Sequence, residues 1–177
     1  MSRITLITYF EKEQLEKIDK CIENIDFKMC KVPYGINDDK RYGIDNLPYH
    51  FTIFATNKEN QQELLNIAKN IKIDKIKLKI NEVKIMNAKY NSMVLYLGIE
   101  ENNEIKKLQK IFYEAIPGEN YNPDNFTFHM TLHIDRDKQT IDKLSEKIRL
   151  NFKPFNLEFD KLALFDYPGE MIEIIEI

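Results

Sequence analysis

Cysteine is nearly absent from the 177-residue chain: Cys21 and Cys30 are the whole supply, and no Cys-x-x-Cys spacing occurs. The two read as buried or idle thiols in a reducing cytoplasm, not as a disulfide framework. Long apolar runs are missing as well; none approaches the length that crosses a bilayer. The stretch "RITLITYF" lacks the basic, apolar and cleavage-site succession of a signal peptide and reads as a strand. A cytoplasmic protein without membrane contact is the expectation. Nor is there a basic surplus: 26 Lys and Arg against 29 Asp and Glu give a net charge of −3. That excludes a coat for long duplex nucleic acid but not a small or short phosphorylated substrate, which needs only local positive potential.

What is present is ordinary globular material, 43% hydrophobic and 31% charged. The length suits one bilobal domain over residues 1–177, with approximate halves 1–90 and 91–177. Residues 3–9 alternate as a strand, and Leu15, Ile18, Ile22 and Ile25 follow at helical spacing. Residues 31–48 are rich in Pro, Gly, Asn and Asp and read as a long loop, either a binding segment or a plain surface connection. "HFTIFA" is a strand. Thr56 and Glu59 have capping-box spacing ahead of a helix carrying Leu64, Leu65, Ala68 and Ile71. Ile76, Leu78 and Ile80 alternate, then the phase slips before Val83 and Ile85, which predicts a β-bulge near Asn81–Glu82. "SMVLYLGIE" is a strand. Ile105, Leu108, Ile111 and Phe112 mark a helix that Pro117–Gly118 ends. Ile141, Leu144 and Ile148 mark another, and 155–177 reads as two strands turning at Pro168–Gly169.

The halves repeat. His50 and His129 are 79 residues apart, and so are Thr52 and Thr131. Ile76, Leu78, Ile80, Val83 and Ile85 recur 79 residues on as Phe155, Leu157, Phe159, Leu162 and Leu164, phase slip included. An internal duplication, packed as a pseudo-twofold pair of α+β lobes, accounts for this.

The repeated chemistry is a His-x-Thr in each copy: "HFTI" at His50–Ile53 and "HMTL" at His129–Leu132. Residues i and i+2 of a strand share a face roughly 6.5–7 Å apart, so each motif presents an imidazole beside a hydroxyl. Pseudo-twofold packing would set the two pairs across one cleft. Two imidazoles there can act as base and acid on a phosphodiester. Thr52 and Thr131 can donate to its non-bridging oxygens. A lone His-x-Thr carries little; two at equivalent places of a duplicated unit carry more.

The paired motifs resemble the His-x-Thr/Ser-x signature of the 2H phosphoesterases, which include the 2′-5′ RNA ligase-like proteins and the cyclic phosphodiesterases. The resemblance spans nearly the whole chain. It implies an α+β fold of two antiparallel sheets in a bilobal pseudo-twofold duplication, with helices packed outside and a central cleft. It implies phosphodiester chemistry at His50, Thr52, His129 and Thr131, with His129 activating water and His50 protonating the leaving group. Many relatives carry an arginine where this chain has Ile134; Arg136 lies two residues on.

Other residues are secondary candidates. His133 is expected on the face of His129 and Thr131, roughly 13 Å from His129, as a substrate contact or a solvated strand end. Phe54 and Phe10 would flank the cleft. Tyr34, Tyr42 and Tyr121 could stack a base, and Arg41 could reach a phosphate. Lys75, Lys77 and Lys79 read as a solvated strand face before an RNA track. No ligand set for a metal stands at suitable spacing, so neither metal nor cofactor is expected. The leading expectation is a monomeric, metal-independent cyclic phosphodiesterase acting on a small nucleotide or RNA end. A 2′-5′ RNA ligase or cyclic oligonucleotide hydrolase could use the same site. A non-catalytic nucleotide or RNA-end binder is the alternative class.

Overall fold

The computed structural model describes residues 3–23, 25, 47–88, 91–116, 122–166 and 169–177. Tyr34, Arg41, Tyr42, Tyr121 and Cys30, with most of the 31–48 loop and Pro117–Gly118, lie outside the described residues. The elements run β1 (Arg3–Tyr9), α1 (Lys12–Ile22), β2 (Thr52–Asn57), α2 (Gln61–Asn70), β3 (Ile76–Asn87), β4 (Met93–Ile99), α3 (Asn103–Ala115), β5 (His129–Asp135), α4 (Lys138–Asn151), β6 (Phe155–Phe159), β7 (Lys161–Asp166) and β8 (Met171–Glu176).

The strands form two antiparallel four-stranded sheets, ordered β2-β1-β7-β8 and β5-β4-β3-β6. Neither sheet is built from one half of the sequence alone. α2 and α3 pack on the first sheet and α1 and α4 on the second. Each strand buries the side facing its helices: Ile4 and Leu6 of β1, Leu95 and Leu97 of β4, and Leu162 and Leu164 of β7 are fully buried in one continuous core. The opposite sheet faces line the central cleft.

The duplication appears in the ladder that joins β3 to β6. Ile76 pairs with Phe159, Leu78 with Leu157 and Ile80 with Phe155. Shifting each residue by 79 exchanges the two strands and returns the same ladder, so the pseudo-twofold axis runs between Leu78 and Leu157. The predicted bulge is present: Ile80 pairs with Ile99 and Glu82 with Gly98, leaving Asn81 extra. In the second copy the same place is a break. Asp160 separates β6 from β7 and the chain changes sheet there, so 155–177 holds three strands where alternation predicted two.

The capping box at Thr56 and Glu59 does not form. Thr56 remains in β2, where its Oγ1 accepts from Asn60 Nδ2 at 2.7 Å, and a short 3₁₀ turn over Lys58–Asn60 leads into α2. The pull of β1 on β2 outweighs the local helix signal; Thr56 pairs with Ile4. α3 begins at a side-chain cap, with Asn102 Oδ1 accepting from Glu104 N and Ile105 N. Lys75 and Lys79 pair with Glu158 and Glu100 at 3.4 and 3.1 Å on an exposed face, as a solvated strand surface would.

Leu78 and Leu157, both fully buried, meet on the axis. Leu78→Ala and Leu157→Ala should each cost about 2–5 kcal/mol in urea denaturation, and by similar amounts. A loss under about 1 kcal/mol for either would contradict this packing.

Candidate active site

The two motifs sit at matching places. His129 opens β5, and His50 lies two residues ahead of Thr52, where β2 begins. His129 pairs with Gly98 and Thr131 with Tyr96 on the cleft side of β4. Thr52 pairs with Ile7 on the cleft side of β1. Phe51, between the motif residues, is fixed from both sides: its N–H donates to Thr8 Oγ1 at 2.9 Å and its carbonyl accepts from Thr8 N at 3.0 Å. Phe51 and Met130 are fully buried, so the alternating histidines and threonines turn outward.

Each imidazole is held by the same bond. His50 Nδ1 lies 2.7 Å from the carbonyl oxygen of Pro48, and His129 Nδ1 lies 2.8 Å from that of Thr127. A carbonyl only accepts, so Nδ1 carries the hydrogen in both rings and Nε2 is left with its lone pair. The His50 imidazole is pushed down to about 4, first by burial and also by positive charge on His129, against the upward pull of the Pro48 carbonyl. The two rings are therefore within electrostatic reach of each other. Burial also lowers His129, and the Thr127 carbonyl opposes it.

Two aromatic rings hold His129. Tyr96 meets it edge-on at 5.7 Å and 70°, and Phe126 lies at 6.4 Å and 34°. On the His50 side, Ile7, the partner of Thr52, and Leu47 belong to a small second cluster with Ala163 and Phe165. Tyr96 and Phe126 were not singled out by the sequence reading. Their signal was present: Phe126 stands three residues before His129, as Leu47 does before His50, and Tyr96 is out of phase with Leu95 and Leu97.

Two expectations change. His133 does not share the face of His129 and Thr131. Leu95 pairs with His133 and Tyr96 with Thr131, so Leu132 is an extra residue and the bulge turns His133 to the helix side. There it is 3% exposed, with Nε2 3.4 Å from Asp135 Oδ2. Burial lowers the His133 imidazole and Asp135 raises it. Phe54 and Phe10 do not flank the cleft. Both are core residues, Phe54 stacked on Phe112 at 6.1 Å and Phe10 edge-on to Phe51 and Phe159. Ile134 pairs with Val94, and Arg136 lies beyond the end of β5. Among the described residues no three His, Cys, Asp or Glu side chains gather where they could hold a metal ion.

The 2′-5′ RNA ligase superfamily profile matches residues 30–170. The chain belongs to that superfamily. No curated protein matches it. Among solved structures it is similar to E. coli LigT without ligand, with a TM-score of 0.62 at 12% identity over 99% of this chain and 96% of that one. It is similar to E. coli LigT complexed with 3′-AMP, at 0.62 and 12% over 99% and 97%. It is also similar to Kluyveromyces marxianus Usb1, at 0.55 and 12% over 99% and 97%. At these identities the likeness is one of fold. The family membership bears out the resemblance to the 2H phosphoesterases and their 2′-5′ RNA ligase-like members.

Because His50, His129 and His133 are held below the 6.5 of a free imidazole, the unfolded chain binds protons that the folded chain refuses. Stability should fall as pH falls from about 6.5 toward about 4. Thermal melts across that window should show a shallower fall in His50→Gln than in the parent chain. Equal slopes would contradict a buried, neutral His50.

Proposed function

We propose that the protein is a metal-independent phosphodiesterase that opens a cyclic phosphate, 2′,3′-cyclic or related, on a nucleotide or RNA end. The observation that carries this reading is the matched pair of Nδ1-anchored imidazoles, each keeping Nε2 free and close enough for the charge of one to oppose the other.

One Nε2 takes a proton from water as the water oxygen bonds to phosphorus. The other ring, protonated at Nε2, gives its proton to the ring oxygen as the phosphorus–oxygen bond breaks. Thr52 Oγ1 and Thr131 Oγ1, on the same strand faces, donate to the non-bridging oxygens. A nucleotide-sized ligand fits the reading: LigT is known complexed with 3′-AMP, and Usb1 with uridine monophosphate.

The lowering of His50 supports a division of labour. It is held down to about 4, with charge on His129 among the causes, so His50 is suited to accept a proton. That makes His50 the base and His129 the acid, the reverse of the order the resemblance implies. The family favours one second reading, 2′-5′ ligation, in which an RNA hydroxyl takes the place of water at the same groups.

The test is incubation with 2′,3′-cyclic nucleotides in excess EDTA. Turnover is expected, and His50→Ala and His129→Ala should each lose about 10²–10⁴-fold in rate with unchanged melting. No turnover across pH 5–9 contradicts the reading, and altered affinity without turnover would mark a binder. The profile of kcat/KM should be a bell whose alkaline limb lies below pH 6.5, because both rings titrate low. Residual activity should lose the acidic limb in His50→Ala and the alkaline limb in His129→Ala; the opposite pattern would reverse the roles.

A further inference from the structure

The cross-strand rows on the cleft side of the second sheet place a carboxylate and a cation beside the motif. His129, Gly98 and Glu82 form one row, and Thr131, Tyr96 and Lys84 the next. Glu82 lies over Gly98 so closely that a Cβ there would stand 2.6 Å from its Oε1 and 2.7 Å from its Cγ. The missing side chain of Gly98 is thus the space in which the Glu82 carboxylate rests, next to His129 in the row. Lys84 Nζ binds that carboxylate at 2.7 Å, while its side chain stays 54% exposed. The hydrogen bond and charge of Glu82 raise the ammonium above the usual lysine value.

The other wall is different. The residues 79 on from Glu82 and Lys84 are Lys161 and Ala163. Ala163 is fully buried, and Lys161 is bound to Glu11 at 2.6 Å and directly opposite Glu176. Lys161 therefore has Glu11, Glu176 and Asp160 acting on it, and Lys84 has Glu82.

We propose that Lys84 binds a phosphate oxygen of the substrate, and that Glu82 is its counter-ion in the free protein, displaced when the anion enters. An exposed ion pair on a surface is held weakly, and a phosphate that also meets two histidines and two threonines outcompetes a lone carboxylate for the ammonium. This rests on the phosphodiester reading of the same cleft and names the cation that site requires. The preferred ligand is accordingly the more anionic one, a terminal phosphate monoester ahead of a neutral nucleoside.

The two residues should respond with opposite signs, which a merely structural ion pair would not do. Binding of a nucleoside 3′-monophosphate is measured by calorimetry on the full chain, with melting as a check on folding. Lys84→Ala should weaken binding by about tenfold or more. Glu82→Gln should tighten it, because the competing carboxylate is gone. Lys161→Ala should leave it unchanged. Equal weakening in Lys84→Ala and Glu82→Gln, or loss only in Lys161→Ala, overturns the assignment while the phosphodiester reading stands. If the parent chain binds no monophosphate, or if His50→Ala and His129→Ala bind it as the parent does, the reading itself fails and the assignment with it.

Discussion

Two short hydrogen bonds set what the cleft can do. His50 Nδ1 to the Pro48 carbonyl and His129 Nδ1 to the Thr127 carbonyl are the same bond made twice, each reaching two residues back along the chain. Each fixes a tautomer and aims Nε2 away from its own backbone. Without them an imidazole at a strand end would rotate and share its proton between both nitrogens. With them, each ring keeps its Nε2 lone pair available, and burial lowers both imidazoles. The positive charge that burial opposes is the charge that a bound phosphate would restore.

The bonds depend in turn on where the strands bend. In both copies the extra residue is the fourth of the motif: Ile53 between the Leu6–Phe54 and Ile7–Thr52 pairs, and Leu132 between the Leu95–His133 and Tyr96–Thr131 pairs. A bulge re-aims the residues on one side of it relative to the other. Here it lets the motif face the cleft while the strand beyond it buries its next residue against the helices. The Ile53 carbonyl, freed from the ladder, accepts from Gln109 Nε2 at 3.1 Å, so α3 supports the bend from the core side. On the second sheet Arg149 of α4 donates through Nε and Nη2 to the Val83 carbonyl, just past the Asn81 bulge. The helices thus act on the site through the backbone they hold.

Much of this could be read from residue order, and the parts that could not have definite causes. The 79-residue offset, the two motifs and the Asn81 bulge were visible because duplicated apolar positions make a slip in phase conspicuous. The bulges at Ile53 and Leu132 were hidden. An extra apolar residue inside "TIFA" resembles a fully buried strand, and in "TLHI" a histidine takes the place that signals the turn inward. The offset held the clue, since it matches His133 with Phe54, an apolar core residue. The Thr56 cap failed because strand pairing with Ile4 claimed that residue first. Lys84 and Glu82 escaped notice because adjacency across three strands leaves no trace in local spacing. The longer first-half link is legible in both views. Leu6 and its partner Phe54 are 48 residues apart, whereas Leu95 and His133 are 38 apart.

The near-symmetry stops at the cleft walls. Beside His129 stand the Tyr96 and Phe126 rings and the Glu82–Lys84 pair; on the other side the matching places hold Leu47, Lys161 and Ala163, and no aromatic ring is stacked on His50 among the described residues. A ligand would meet the same histidine–threonine geometry from both sides and different surroundings on each. All of this requires both rings to bind one anion. The most direct measurement is to follow the ring-nitrogen resonances of the three histidines by NMR while inorganic phosphate is titrated in. Nε2 of His50 and of His129 should shift together along one binding curve, with His133 unmoved. Two different affinities, or a response from one ring alone, would contradict a shared site.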